Sequence, residues 1–182
     1  MRVTLAAVLF AIAFMNPALA ADGFVALEGA ATSNIDLDTP GGDFSYWVIP
    51  NVGSANTLRA TFQIKSINQD PKWHPRTQIA LISGDETAQL RFGAIGDSTF
   101  EVSLVQYKRR ELASTQKLGI TLKLGEPIEV SMDWTPDGEV IVKVGSSDQY
   151  TVALEHPVIR LEITNSSCDA MFEPVALGRS NP

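Results

Sequence analysis

The chain is short of the residues that most often advertise chemistry. Its 182 residues include one cysteine, Cys168, and two histidines, His74 and His156. A single thiol cannot close an internal disulfide, so the fold must rest on its own apolar core. Basic residues are few. Lys and Arg number 14 against 21 Asp and Glu, a formal net charge of −7. That balance argues against nucleic acid, which needs a basic face, and against an anionic membrane surface. Outside Asp36 and Asp38, no strand-like run carries carboxylates at alternate positions. Beyond the first twenty residues no apolar run approaches the length that spans a bilayer. Helix periodicity is nearly absent, as are internal repeats, low-complexity segments and linkers.

The N-terminus reads as a secretory signal. Met1-Arg2 is a short positive region, Val3 to Met15 is apolar, Asn16-Pro17 breaks the run, and Ala18-Leu19-Ala20 is a small-x-small cleavage site. Cleavage after Ala20 is expected, which places the protein outside the cell or in a periplasm. Residues 1–20 are then the signal, and 21–182 form one domain of about 162 residues.

What recurs along the chain is alternation. Leu58, Ala60, Phe62 and Ile64 alternate with Arg59, Thr61, Gln63 and Lys65. Ala88, Leu90 and Phe92 do the same, as do Phe100, Val102 and Leu104, then Ile159, Leu161 and Ile163. Period two marks a strand with one buried and one wet face. Gly, Pro and Asp fall between the runs, with turns expected at Pro40-Gly41-Gly42-Asp43, Gly84-Asp85, Gly96-Asp97 and Gly119. About a dozen such strands cannot form one flat sheet, so they must stack as two around a shared apolar layer. The fold class is therefore all-β, a two-sheet antiparallel β-sandwich. The core is expected to hold Phe62, Phe100, Val130, Trp134, Val142, Leu161 and Ile163.

The sharpest local signal is the run Ile128-Glu129-Val130-Ser131-Met132-Asp133-Trp134, then Thr135-Pro136-Asp137-Gly138, then Glu139 to Gly145. Pro136 presets φ, Asp137 is placed to cap its own backbone, and Gly138 accepts a positive φ. This strand, Trp-Thr-Pro-Asp turn and returning strand resemble a unit of the concanavalin A-like lectin/glucanase superfamily, including its laminin-G-like members. Met171 to Gly178 resembles the closing strand of those members. The resemblance implies a jelly roll over roughly Phe24 to Gly178. It does not select among lectins, adhesion modules, glucanases and lyases. Glucanases of that superfamily carry paired carboxylates on one strand, which are missing here. Glu101 and Glu162 stand alone on their strands. Glu129 and Asp133 lie about 13 Å apart along theirs, too far for a retaining pair. Gln78 resembles a position on the lyases' inner strand, but Ala80 stands where their His would be. Tyr107-Lys108-Arg109-Arg110 reads as a basic loop tip.

Three functional classes stay open: a non-catalytic carbohydrate-binding module, an interaction or structural module without a sugar ligand, and a polysaccharide-cleaving enzyme, with catalysis the least favoured. The longest irregular stretch, Ser66 to Arg76, carries the leading binding candidates. Trp73 is flanked by Lys72, His74 and Arg76, and two prolines stiffen the loop. A stiff exposed aromatic beside hydrogen-bonding groups suits stacking on a sugar face, although the plainer and favoured reading is that Trp73 folds back as a lid on the core. Trp47 is a further candidate, either at the edge of a binding site or covered by a neighbouring loop. Asp36, Asp38 and Asp43 offer hard oxygen ligands that could hold calcium, but they do not follow an EF-hand loop. Asn34, Asp36 and Asp38 are equally the wet face of a strand carrying Ile35 and Leu37. No cofactor is otherwise expected, and a polysaccharide or glycan is the expected partner. Cys168 is read as a half-buried residue in a turn. The sequon Asn165-Ser166-Ser167 beside it matters only in a eukaryotic source.

Overall fold

The computed structural model describes residues 24–26, 33–70 and 72–180. The expected signal segment and Pro71 lie outside the described residues. Thirteen strands follow one another: β1 (Phe24–Ala26), β2 (Ser33–Asp38), β3 (Phe44–Ile49), β4 (Thr57–Ile67), β5 (Arg76–Ser83), β6 (Glu86–Ala94), β7 (Thr99–Lys108), β8 (Glu111–Lys123), β9 (Ile128–Trp134), β10 (Glu139–Val144), β11 (Tyr150–Ala153), β12 (Arg160–Ser166) and β13 (Cys168–Ser180). They form two antiparallel sheets. One has the order β1-β13-β4-β9-β10-β11, with β2 on β13 as its seventh strand. The other, six-stranded, has the order β3-β12-β5-β6-β7-β8.

Alternation decides which side of each strand faces the shared layer. Leu58, Phe62, Met132, Val140, Val142 and Phe172 face it from the seven-stranded sheet, and all are buried. Ile79, Leu81, Leu90, Phe92, Phe100, Leu161 and Ile163 face it from the other. Phe62 stands at the seam. Its ring lies 4.3 Å from Phe92 across the layer and 4.7 Å from Phe172 on the neighbouring strand. Trp134 is 5% exposed. All seven residues expected in the core are buried.

The β9–β10 hairpin pairs as its alternation implies, with Trp134 opposite Val140 and Met132 opposite Val142. Its turn closes by a bond from the Gly138 amide to the Thr135 carbonyl, 3.0 Å. The side chain that caps it is Thr135, whose Oγ1 accepts from the Glu139 amide at 3.1 Å. The expected Asp137 cap is therefore replaced by Thr135, the first residue of the same turn, whose hydroxyl reaches the Glu139 amide. Gly138 has φ 88°. A Cβ there would also collide with the Leu154 carbonyl and come within 2.9 Å of the His156 carbonyl.

Several local expectations change under tertiary packing. Ile159 is exposed and precedes β12, because its amide and carbonyl are taken by Ile82 and Val52 outside the ladder. Thr57, on the nominally wet face of β4, is fully buried. Gly119 does not end a strand. It lies at φ 71° inside β8, where the pairing with β7 shifts register, so the chain bulges and continues. The loop before β5 is shorter than its composition implies. β4 persists to Ile67 and β5 begins at Arg76, leaving 68–75.

Gly138→Ala should destabilise the fold by more than about 2 kcal/mol, since a left-handed backbone and a carbonyl clash coincide there. Trp134→Ala should cost about 3–5 kcal/mol through the cavity it leaves. Denaturant titration of both variants checks this. A loss below about 1 kcal/mol for Gly138→Ala would mean the turn relaxes freely.

Candidate glycan-contact surfaces

The Trp73 loop is anchored at both ends and open in the middle. The Asn68 amide donates to the Ser167 carbonyl at 2.9 Å, and Asn68 Nδ2 donates to the Thr39 carbonyl at 2.6 Å. Asp70 Oδ1 accepts from the Lys72 amide at 2.8 Å, an Asx-type turn. The Pro75 carbonyl accepts from the Ala94 amide at 2.9 Å. The loop also rests on the 40–43 turn. A Cβ on Gly41 would lie 2.8 Å from the Gln69 carbonyl, and one on Gly42 would lie 3.7 Å from Cδ1 of Trp73. Glycine is what allows that approach.

Trp73 is left 49% exposed. With His74, Asp70, Ile95 and Asp97 it lines an open pocket of about 610 Å³ at the rim between the two sheets. Ile95 is 59% exposed. Gln69 Nε2 donates to Asp97 Oδ1 across the pocket at 3.4 Å. Trp73 and His74 thus share one pocket. Lys72 and Arg76 do not line it, and Arg76 is the first residue of β5, on the outer side of the six-stranded sheet. The polar lining is acceptor-rich, with two carboxylates for hydroxyl donors.

Trp47 faces inward and packs partly buried against the core, opposite Ile163 of β12. The exposed aromatics of β3 are its neighbours. Phe44 is 66% and Tyr46 65% exposed, with ring centroids 6.4 Å apart and planes inclined by 27°. The sequence could not tell which side of β3 was wet, because both sides are apolar. The pairing partner β12 decides it.

That outer side of the six-stranded sheet is polar at its centre. Gln78 pairs with Thr164 on one side and Arg91 on the other, and Arg91 with Ser103. Arg91 Nη2 donates to Gln89 Oε1 at 2.9 Å and Tyr107 Oη at 3.0 Å. Its Nε and the Gln78 Oε1 have no protein partner. No carboxylate lies within ion-pair distance of Arg91 among the described residues.

The metal candidates are dispersed. Asp36 and Asp38 lie on the wet face of β2, opposite Met171 and Asp169 of β13. Asp36 Oδ2 is ion-paired with Lys65 at 2.9 Å, which pushes that lysine's pKa up. Burial, the largest cause, pushes the Asp169 carboxyl up. Asp43 sits in the 40–43 turn. Among the described residues no group of three or more His, Cys, Asp or Glu is placed to hold a metal ion.

Several of the carboxylates are held by cations. Glu101 pairs with Lys117 at 2.9 Å, Asp133 with Arg59 at 2.9 Å, and Glu162 with Arg160. Glu86, buried, and Glu155 share Lys108, and the Glu155 amide donates to Glu86 Oε2. The Lys108 ammonium holds Glu155 below the usual carboxylate range.

Cys168 opens β13 and is fully buried, so it is neither in a turn nor half exposed. Its thiol lies 2.8 Å from Asn165 Oδ1, and burial pushes its pKa up. Asn165 Nδ2 donates to the Leu37 carbonyl, the Cys168 carbonyl and Thr39 Oγ1, while Thr77 Oγ1 donates to Oδ1. The sequon amide is thus consumed inside the fold and has no room for a glycan.

No family model and no curated protein matches the chain in sequence. Solved structures match in shape. The galectin LEC-6 of Caenorhabditis elegans matches at a TM-score of 0.55 and 11% identity, over 79% of this chain and 96% of the galectin. The transglycosylase Crh5 in its apo form matches at 0.58 and 12%, over 90% and 81%. The carbohydrate-binding module CBM66 of Bacillus subtilis matches at 0.51 and 11%, over 86% and 96%. The chain is a concanavalin A-like jelly roll. At these identities the likeness shows the fold alone, and it spans binding proteins and an enzyme.

Cys168 should resist a maleimide reagent in the native protein and react once in denaturant, because the thiolate is disfavoured and the sulfur is covered. Mass spectrometry after a timed pulse reads this. Labelling of the native protein within minutes would contradict the buried network.

Proposed function

We propose that the chain is a secreted or periplasmic carbohydrate-binding module, without catalytic activity, that takes a glycan at the Trp73 pocket. The observation that supports this reading most is the half-exposed indole of Trp73 at the mouth of an open pocket, on a loop hydrogen-bonded into place before any ligand arrives. An ordered loop loses little entropy when a ligand binds it. An aromatic face beside hydrogen-bond acceptors suits a sugar, which is apolar on its ring faces and polar at its edge. The structural neighbours include proteins described as a galectin and a carbohydrate-binding module, which favours the same reading. The paired state of Glu101, Glu162, Glu155 and Asp133 favours binding over hydrolysis, since a retaining glycosidase needs two carboxyl groups about 5–5.5 Å apart and free to act. Binding needs no calcium on this reading, since Lys65 already neutralises Asp36.

A glycan-array screen of the mature protein, with calcium and with chelator, should find a ligand in both conditions. Trp73→Ala should then weaken that ligand by roughly 1–3 kcal/mol, as loss of an aromatic stacking face does for other flat ligands. Calorimetry measures the affinity, and melting of the same variant measures the fold. Unchanged affinity with a melting point about ten degrees lower would make Trp73 a lid on the core and remove the reading's main support.

A further inference from the structure

The two outer faces of the sandwich carry opposite charge. On the seven-stranded sheet the outward positions include Asp36, Glu129, Asp133, Glu139, Asp169 and Glu173. Among the described residues Arg59, Lys65 and Lys143 oppose them, and the first two are already paired. On the six-stranded sheet the outward positions carry Arg76, Arg91, Lys117 and Arg160 against Glu101 and Glu162. Both of those carboxylates are paired, and among the described residues Arg76 and Arg91 have no acidic partner. The β7–β8 turn then adds Arg109 and Arg110 at the end of the same face. With Asp85, Thr87, Gln89 and Tyr107 they line an open recess of about 560 Å³, two cations against one carboxylate. A protein of net charge −7 thus presents one basic face.

The turn is itself anomalous. Arg109 and Arg110 have φ of 52° and 66°. A two-residue hairpin with both φ values positive is the geometry that Asn-Gly fills without strain. Two arginines there cost stability, and strain of that kind gathers at functional positions. Asp85 meets Arg109 at 3.4 Å, and among the described residues Arg110 has no acidic partner.

We propose that the outer face of the six-stranded sheet binds a polyanionic glycan, a chain bearing uronate or sulfate groups, with Arg91 at its centre and the Arg109-Arg110 turn at its end. The proposal does not rest on the Trp73 pocket. Charge complementarity selects a polyanion. The companions of the cations select a glycan among polyanions. Gln78, Gln89, Ser103 and Thr164 lie between the arginines, and Gln78 Oε1 has no donor among the described residues. Such acceptors are met by hydroxyl groups, in which a glycan is rich and a DNA strand is poor. The exposed Phe44 and Tyr46 rings border the same face on β3 and add an apolar edge.

The test measures binding of the mature protein to four probes at low salt: polygalacturonate, dextran sulfate, unmodified dextran and a single-stranded DNA oligonucleotide. Polygalacturonate or dextran sulfate should bind at least about tenfold more tightly than dextran or DNA, and should weaken as salt rises. Whichever of the two binds identifies the anionic group. Arg91→Gln should reduce that affinity at least about fivefold. Arg109→Asn combined with Arg110→Gly should do the same while raising the melting temperature, because the turn gains its favoured residues. That second variant separates lost binding from lost folding. Lys143→Glu, on the opposite face, should leave polyanion binding within about twofold. No binding to either charged polymer overturns the proposal. So does DNA binding as tight as the glycans, which would reduce the face to charge alone, and so does binding that survives both arginine variants.

Discussion

The rest of the structure depends on one packed layer, and that layer turns on Phe62. Its ring meets Phe172 on the adjacent strand and Phe92 on the opposing sheet. Contact across the layer fixes which residues of β4, β6 and β13 point inward. By the period of two, it also fixes which point outward. A slip of one residue would exchange the apolar and polar sets on every strand joined to these. Both candidate binding surfaces exist because this choice is settled in the interior.

The charges follow from the same choice. Residues that share a face are neighbours through strand order and distant in sequence. Arg76, Arg91, Lys117 and Arg160 belong to β5, β6, β8 and β12, and they converge because β12 is inserted between β3 and β5. The acidic stretch near Asp36 and Asp38 reaches the other face because β2 lies on β13. An overall acidic composition therefore says little about either face taken alone.

This explains what could be read from the chain. The sandwich and its core were legible because alternation is local: β4, β6, β7 and β9 announce their buried sides within a few residues. The β9–β10 hairpin was legible because its turn residues sit beside the strands they join. Which side of β3 is wet was not legible, since Phe44, Tyr46, Trp47 and Ile49 are all apolar and the decision rests with β12. The basic face was illegible for the same reason, its arginines being scattered until the sheet is assembled. Within the Trp73 loop the sequence named the indole and its histidine neighbour, but not the pocket's acidic partner Asp97, which arrives from the β6–β7 connection.

The order of the strands also has a consequence in time. β12 is the only partner of β3 and completes the six-stranded sheet, while β13 carries β1, β2 and β4. Ser167 alone separates them, at φ 53°. Neither sheet is complete until the segment Arg160–Ser180 has paired. Pairing between the two ends of the chain closes large loops, which is slow. Until then β3 and β4 are open edges. Detachment of the single segment Arg160–Ser180 would therefore open both layers of the sandwich at once.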